Sequence, residues 1–160
     1  MDSSSRNALF MALGLAMQRY QRSTDLLDDA AAEYLGINRT DLRCLDSLSD
    51  GPKTAGQLTE AVALSSAATT TLLDRLERKR LVQRIRDTAD RRKVLVELTP
   101  YGEVLVQQLY GPLVVEGSTL LERYSDDELT LLRDFIELCA DLNHRHRTRI
   151  LDQVHQKTSS

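Results

Sequence analysis

The first long stretch of the chain, residues 7–35, has the apolar spacing of a helix. Its apolar side chains recur at steps of three and four residues: Leu9, Leu13, Ala16, Met17, Tyr20, Leu27, Ala31 and Tyr34. Gly36 follows, and a glycine there predicts a left-handed cap. A domain of 160 residues has too little core to bury so long a helix. We therefore expect part of the apolar stripe to contact another chain.

Polar residues mark the starts of three shorter helices. The expected N-caps are Asn38, Thr54 and Ser65. Asp41 follows the first cap at a position where a carboxylate favours the helix dipole, and Gln57 completes a capping box with the second. The helices are expected to end near Leu48, Val62 and Lys79. The last two, joined by a short turn, form a helix-turn-helix pattern at residues 54–79.

A β-hairpin is predicted directly after the helix-turn-helix, at residues 82–98. Val94, Val96 and Leu98 occupy alternate positions, as in a strand with one buried face. The preceding run, residues 81–86, is also β-like, and the sequence DTADRR between the two runs gives a loose, basic tip.

Two further helices are predicted in the last third of the chain. The first begins at Pro100, where the missing N–H has no cost, and runs to about Tyr110. Gly111 and Pro112 are expected to kink or interrupt it. The second begins with a capping box at Ser125 and carries an apolar stripe. The fold class is therefore mainly α with one small β-hairpin.

Composition favours a single water-soluble domain, residues 1–160, in which 41% of residues are apolar and 28% are charged. The sequence predicts no membrane span, and MDSSSRNALF does not have the pattern of a secretory signal. Cys44 and Cys139 are too far apart for a disulfide framework or the spacing of a zinc site. We therefore expect a cytoplasmic protein.

Charge is unevenly distributed along the chain. Residues 75–93 contain nine basic and three acidic residues and carry +6, while the whole chain carries −3, so the remainder carries −9. An acidic body with one basic patch directs phosphate binding to that patch.

The outward face of the predicted helix at residues 66–79 is small and polar near its N-terminus, a shape that can enter the DNA major groove. The candidate base- and phosphate-contacting residues are Ser65, Ser66, Ala67, Thr70, Thr71 and Arg75. An ordinary solvated helix is the alternative interpretation of this face, and the helix alone does not decide between the two.

The basic hairpin favours the DNA-binding interpretation, because a flexible cationic tip beside such a helix can reach the minor groove. The candidate residues are Arg84, Arg86, Asp90, Arg91 and Arg92. Arg84 and Arg86 alternate on one strand and so share a face. Asp90 is placed to hold the guanidinium of Arg92 by a bidentate contact. A solvated charged turn is the alternative.

The segment LSSAATTTLLDRLERKRLVQRIRDTADRRKVLVELTPYG resembles the signature of the MarR family of winged-helix transcription regulators. GINRTDLRCLDSL and GQLTEAVALS also fit, so the resemblance covers nearly the whole chain. It implies a homodimer in which helices at residues 7–35 and 100–155 intertwine, and a DNA-binding lobe at residues 38–98 whose wing is the hairpin. By position, Ser66 to Thr71 belong to the recognition helix, and Arg92 enters the minor groove.

Two residues depart from the family pattern. Arg80 stands where the family favours glycine, so it needs another helix cap or a left-handed backbone that costs about 1 kcal/mol. Ser66 stands where proline is often found. Both departures bear on base specificity rather than on the fold.

The resemblance and the charge pattern together predict a repressor that binds a pseudo-palindromic operator as a homodimer and is released by a small-molecule effector. Met17, Tyr20 and Tyr110 are candidate effector-lining residues, although the sequence favours core packing as the role of each.

Several alternatives remain beside this prediction. Cys44 as the switch of a redox-responsive regulator is one, and a winged-helix protein-interaction module without an effector is another. His144 and His146 lie two residues apart and point to different sides of a helix, so we expect no metal site. We expect no cofactor and no enzymatic activity, since no nucleophile–base set or phosphate-binding glycine loop is present.

Overall fold

The computed structural model describes residues 3–158. Its helices are α1 (Ser3–Leu35), α2 (Arg39–Ser47), α3 (Ala55–Val62), α4 (Ser66–Arg78), α5 (Pro100–Leu121) and α6 (Asp126–Thr158). Its strands are β1 (Lys53–Thr54), β2 (Val82–Arg86) and β3 (Val94–Leu98). This order confirms the predicted mainly α winged helix-turn-helix. The chain divides into two compact units, the first extending to Tyr110 and the second beginning at Gly111.

The core of the first unit lies where α2, α3 and α4 meet the sheet. Its largest fully buried apolar side chains are Leu45, Leu58, Leu72, Leu73, Leu76 and Val96. A second, smaller cluster joins Ala31 and Ala32 of α1 to Leu42 of α2. The first cluster fixes α4 on its inner side, and the outer side of that helix is open to solvent.

The sheet has three antiparallel strands in the order β1-β3-β2. Val82 pairs with Leu98 and Arg86 pairs with Val94, which gives the predicted hairpin. The outer strand β1, in which Lys53 pairs with Val96, is not among the predicted elements. Two residues are too few to show the alternation by which a strand is recognised in a sequence.

The predicted helix caps are confirmed. Asn38 Oδ1 accepts a hydrogen bond from the Asp41 N–H at 2.9 Å, and the Thr54 and Ser65 side chains accept from the third residue of their own helices. Gly36 has φ +61°, the left-handed conformation expected where α1 ends.

The expected interruption of α5 at Gly111 and Pro112 is wrong, because the helix continues to Leu121 with Pro112 inside it. Proline restricts the residue before it through clashes with that residue's N–H and Cβ. Gly111 has no Cβ, so one of these clashes is absent, while the helix still lacks the backbone hydrogen bond that Pro112 cannot donate.

Arg80 ends α4 in the left-handed conformation, with φ +60°. Its N–H donates to the Glu77 carbonyl at 2.8 Å, and the Leu81 N–H donates to the Leu76 carbonyl at 3.0 Å, the two bonds of a Schellman motif. Arg80 therefore does not use a different helix cap. It adopts the left-handed backbone that glycine favours.

The start of α5 is attached to this turn. The Thr99 hydroxyl donates to the Arg80 carbonyl at 2.5 Å, and the Thr99 N–H donates to the Leu81 carbonyl at 3.0 Å. A Cβ at Gly102 would overlap that Leu81 carbonyl, so only glycine fits there without displacement. The end of α4 and the start of α5 thus form one closely packed joint.

Large apolar surfaces remain uncovered outside the core. Every residue from 4 to 27 of α1 is exposed. These include the large apolar side chains of Leu9, Phe10 and Met11, each more than 60% exposed. In the second unit no described side chain from residue 112 onward is buried, and Val114, Leu131 and Leu138 are among those open to solvent. No helix in residues 3–158 combines the length and apolar character that crossing a membrane requires.

Candidate nucleic-acid interface

Helix α4 separates an apolar inner face from a polar outer face. Thr69, Leu72, Leu73 and Leu76 are buried, whereas the candidate base-contacting residues Ser65, Ser66, Ala67, Thr70 and Thr71 are all exposed. The structure therefore brings these five residues together on one open surface, which we call the reading edge. Its side chains are short enough for the helix to approach a neighbouring surface closely.

The two threonine hydroxyls of the reading edge are oriented by the helix itself. Thr70 Oγ1 donates to the Ser66 carbonyl at 3.0 Å, and Thr71 Oγ1 donates to the Ala67 carbonyl at 3.2 Å. Each hydroxyl proton is thereby engaged, and each oxygen keeps free lone pairs toward solvent.

Arg75, a candidate DNA contact, has an internal partner. Its Nε and Nη2 atoms donate to Asp41 Oδ2 and Oδ1 at 2.8 and 2.5 Å, a bidentate ion pair between α4 and α2. This hydrogen bonding raises the pKa of Arg75. The Asp41 side chain is fully buried, and that of Arg75 is 37% exposed. Arg75 thus holds the helix in place.

Arg84, a candidate wing residue, also has internal partners. Its Nη2 atom donates to Asp74 Oδ1 at 2.8 Å, and its Nη1 atom contacts Glu77 Oε2. Both carboxylates belong to α4, so Arg84 joins β2 to the recognition helix and neutralises acidic groups beside the reading edge. Arg86, two residues further along the strand, is exposed.

The wing tip is organised by carboxylates that accept from the backbone. Asp90 Oδ1 accepts from the Arg92 N–H at 3.1 Å, and Asp87 Oδ1 accepts from the Ala89 N–H at 2.8 Å. The predicted contact between Asp90 and the guanidinium of Arg92 is absent from the described part of the chain. A short aspartate reaches the N–H two residues later more easily than the end of a long side chain.

The basic residues of the 75–93 segment therefore fall into two groups. Arg75 and Arg84 are paired with carboxylates. Among the ion pairs of residues 3–158, none involves the other seven, which are Arg78, Lys79, Arg80, Arg86, Arg91, Arg92 and Lys93. We call these seven the free cations; all are exposed. Three of them, Arg78, Lys79 and Arg80, lie at the C-terminal end of α4; Arg86 ends β2, and Arg91, Arg92 and Lys93 lie in the wing tip.

The three candidate effector residues do not meet in one cavity. Met17 and Tyr20 lie on the exposed part of α1, whereas the Tyr110 hydroxyl donates to Asp28 Oδ1 at 3.3 Å and its ring packs on the Ala31 cluster. Eight residues separate Tyr20 from Asp28, which is about 12 Å along a helix. Burial, with the nearby Asp28 charge, raises the pKa of Tyr110 to about 12.

A cleft of about 300 Å³ lies elsewhere in the first unit. It is lined by Tyr34, Leu35, Lys79, Leu81, Tyr101 and Leu105. Because Lys79 and Leu81 flank the turn that ends α4, the cleft adjoins the joint between the recognition helix and α5. Its walls combine apolar surface with one free cation.

Cys44 is fully buried in the main core. Burial, and secondarily the Asp41 charge, raises the pKa of its thiol to about 12, so almost no reactive thiolate is present near neutral pH. In the described part of the chain no group of three or more His, Cys, Asp or Glu side chains is arranged to hold a metal ion.

The model of the MarR family matches residues 35–93, which hold the helix-turn-helix and most of the wing. YcgE, an uncharacterized HTH-type transcriptional regulator of Bacillus subtilis (strain 168), is 33% identical over 151 residues. The alignment covers 92% of this chain and 98% of YcgE. The chain belongs to the MarR family. It is therefore a DNA-binding transcription regulator of that family and not an enzyme.

Other relatives extend the comparison. The HTH-type transcriptional repressor NicR of Pseudomonas putida is 33% identical over 96 residues, covering 59% of this chain and 60% of NicR. The Q18P mutant of MepR from S. aureus shares the fold with a TM-score of 0.64 at 21% identity, covering 81% of this chain and 96% of that chain. The MepR F27L mutant bound to an oligodeoxyribonucleotide has a TM-score of 0.52 at 23% identity, covering 81% and 97%.

The residues that the sequence did not reveal are the carboxylates that organise this surface. Asp41 was expected only to favour a helix dipole, and no role was predicted for Asp74 or Glu77 as partners of the wing. A weak signal exists for the last two. They lie three apart on one helix face, in a segment otherwise rich in basic residues.

Proposed function

We propose that this MarR-family protein represses transcription by binding a pseudo-palindromic operator as a homodimer in the cytoplasm. The observation that carries the proposal is the exposed, hydroxyl-rich reading edge of α4 beside a wing whose tip holds unpaired arginines. A short polar helix face suits the major groove, and arginine suits the minor groove next to it. Repression is supported by the name of NicR, and DNA binding by the MepR complex.

The uncovered apolar surfaces support the homodimer. A soluble protein rarely exposes contiguous apolar patches larger than several hundred Å². Here α1 is exposed through residue 27, and the second unit has no buried side chain from residue 112 onward among those described. A second copy offers the same helices with the same apolar stripes, so a two-fold pairing covers both surfaces at once. A two-fold dimer in turn requires a two-fold pseudo-symmetric operator with half-sites about one helical turn apart.

Binding to a random-sequence pool of duplexes tests the operator and the symmetry together. Selection with the full chain should enrich an inverted repeat, and analytical ultracentrifugation at micromolar concentration should give a dimer. A monomer would refute the symmetry argument, and a pool that shows no enrichment at low salt would refute specific DNA binding. A promoter fusion carrying the enriched site then separates repression from activation.

Release by a small molecule is proposed to occur through the cleft beside Lys79 rather than through Met17, Tyr20 and Tyr110. The apolar walls and the free ammonium suit a small organic anion. A molecule bound there would contact the turn that ends α4. If it binds the DNA-free conformation a few kcal/mol more tightly than the DNA-bound one, that difference is enough to release DNA. Benzoate serves as the probe, and benzamide is the neutral control of the same shape. Release by benzoate that Lys79→Gln abolishes would support the cleft, whereas equal effects of the two compounds would oppose it.

The redox alternative through Cys44 receives no support from the buried, high-pKa thiol. It predicts that Cys44→Ser abolishes release from DNA by peroxide. The interaction-module alternative predicts loss of the basic wing, and the wing tip here retains its free cations. Neither alternative is favoured by a specific contact in the structure.

A further inference from the structure

At Thr70, Thr71 and Asp74 the outer edge of α4 presents hydrogen-bond acceptors. Thr70 and Thr71 have donated their hydroxyl protons to backbone carbonyls one turn earlier, so their oxygens face outward as acceptors. Asp74 lies four residues after Thr70 and three after Thr71, hence on the same edge, and its ionised carboxylate only accepts. A shallow groove of the surface, lined by Thr71, Asp74, Glu77 and Arg78, continues this edge along the helix.

Asp74 is held in place by the wing strand. Arg84 Nη2 donates to Asp74 Oδ1 at 2.8 Å, while its Nη1 contacts Glu77. The side chain of Asp74 is still 54% exposed, so its second oxygen and the remaining lone pairs are open to a partner. Arg84 also offsets the negative charge that would otherwise repel DNA phosphates from this part of the helix.

We propose that Thr70, Thr71 and Asp74 form an acceptor edge that favours adenine or cytosine over guanine or thymine on the DNA strand that it faces, so that it reads the orientation of each base pair beneath α4. This inference rests on the proposed function, in which α4 lies in the major groove. In that groove the only base donors are adenine N6–H₂ and cytosine N4–H₂, whereas guanine and thymine present oxygen acceptors. Aspartate accepts best from cytosine N4, and the threonine methyl groups suit a neighbouring thymine methyl.

Repulsion of guanine and thymine also contributes to this selectivity, beside attraction of adenine and cytosine. A carboxylate oxygen facing guanine O6 or thymine O4 leaves two acceptors opposed and desolvated, which penalises the wrong base. Arginine at such a position would favour guanine, but Arg84, whose side chain contacts Asp74, is engaged with the α4 carboxylates.

Base analogues that lack only the amino group test the proposal directly. In the duplex enriched by selection, single adenines are replaced by purine and single cytosines by 2-pyrimidinone, which remove the N6 and N4 amino groups. Binding of the full-length wild type is measured by fluorescence anisotropy at fixed salt. We expect at least one such replacement per half-site to weaken binding by about tenfold, the effect of one well-made base contact.

The same duplexes are then measured with Asp74→Asn and Thr71→Val. Each variant should reduce the penalty of its own analogue from about tenfold to less than about threefold, because the acceptor is gone or, in asparagine, replaced in part by a donor. Asp141→Asn on α6 is the matched control for loss of one exposed carboxylate and should leave every penalty unchanged. Thermal unfolding of each variant separates loss of contact from loss of fold.

Two results overturn the acceptor edge. They are wild-type binding that is indifferent to every analogue, and penalties that persist in both variants. Each of these outcomes leaves specific DNA binding intact. Failure to enrich any duplex, by contrast, refutes the proposed function itself, so the two failures are distinguishable.

Discussion

Replacing Asp41 by asparagine and Arg75 by methionine is expected to destabilise the protein by unequal amounts. Asp41→Asn leaves the Arg75 guanidinium without its anion, but that side chain is 37% exposed and can turn to water. Arg75→Met leaves a carboxylate that is 0% exposed, with no cation and no access to solvent. The second change therefore strands the more deeply buried charge.

The magnitudes follow from this difference in burial. Removing one partner of a buried pair costs about 3–5 kcal/mol, and that range applies to Arg75→Met. For Asp41→Asn the exposure of the remaining guanidinium reduces the expected loss to about 1–3 kcal/mol. Asparagine can still accept the backbone bond of the capping box, so little cap energy is lost. The double variant should cost less than the two losses combined, since neither charge is then stranded.

Urea unfolding monitored by far-ultraviolet circular dichroism, at one fixed protein concentration, measures these losses. The exposed pair of Lys53 and Asp50 supplies the control, because Asp50 is 74% exposed. Asp50→Asn should therefore leave the urea midpoint almost unchanged. Equal losses for Asp41→Asn and Arg75→Met, or strict additivity in the double variant, would refute the argument from burial.

DNA binding by the same variants decides what Arg75 does. If Arg75 only holds α4 against α2, then Arg75→Met weakens binding without changing its dependence on salt concentration. If Arg75 contacts a phosphate, the slope of log affinity against log salt should become shallower by about 1 per site. Measurement at four or five salt concentrations separates the two roles.

Further predictions concern the joint, the wing and the core. Gly102→Ala should cost about 2–4 kcal/mol by overlap with a backbone carbonyl, while Gly56→Ala, which has space, should leave stability unchanged or raise it by up to about 1 kcal/mol; equal melting temperatures would contradict the close packing. Arg80→Gly should raise stability by about 1 kcal/mol in urea unfolding because its φ is +60°. Arg92→Ala should weaken binding and reduce the magnitude of the dimer's salt slope by about 2, one contact for each wing, and unchanged binding would remove the wing from the mechanism. Because burial raises the pKa of Cys44 to about 12, iodoacetamide at pH 8 should label it only after unfolding.

Local chemistry explains what the sequence predicted well. The caps at Asn38, Thr54 and Ser65 are bonds to the backbone a few residues away, so a short segment contains both partners. The wing hairpin is similar, since alternation and a turn sequence are both local. These features were predictable without knowledge of the rest of the chain.

Pairings between distant residues were not predictable from the same patterns. Asp41 and Arg75 are 34 positions apart, and the periodicity of α4 shows only that Arg75 is not in its core face. Strand alternation likewise puts Arg84 and Arg86 on one face but does not show that Arg84 reaches back to the carboxylates of α4. The number of basic residues in a segment therefore overstates the number available to DNA.

The separation of paired from free cations has a measurable consequence for the whole interface. If all nine basic residues of the 75–93 segment contacted phosphate, a dimer would have a salt slope of about −16. Seven free cations per chain limit that slope to about −13. The actual slope should be smaller in magnitude, because not every cation contacts a phosphate. The carboxylates that withdraw Arg75 and Arg84 from DNA position α4 and β2 instead. Charge in this segment is thus divided between paired cations that hold α4 and β2 in place and free cations that we propose bind the DNA backbone, so variants of the two groups should affect stability and salt dependence separately.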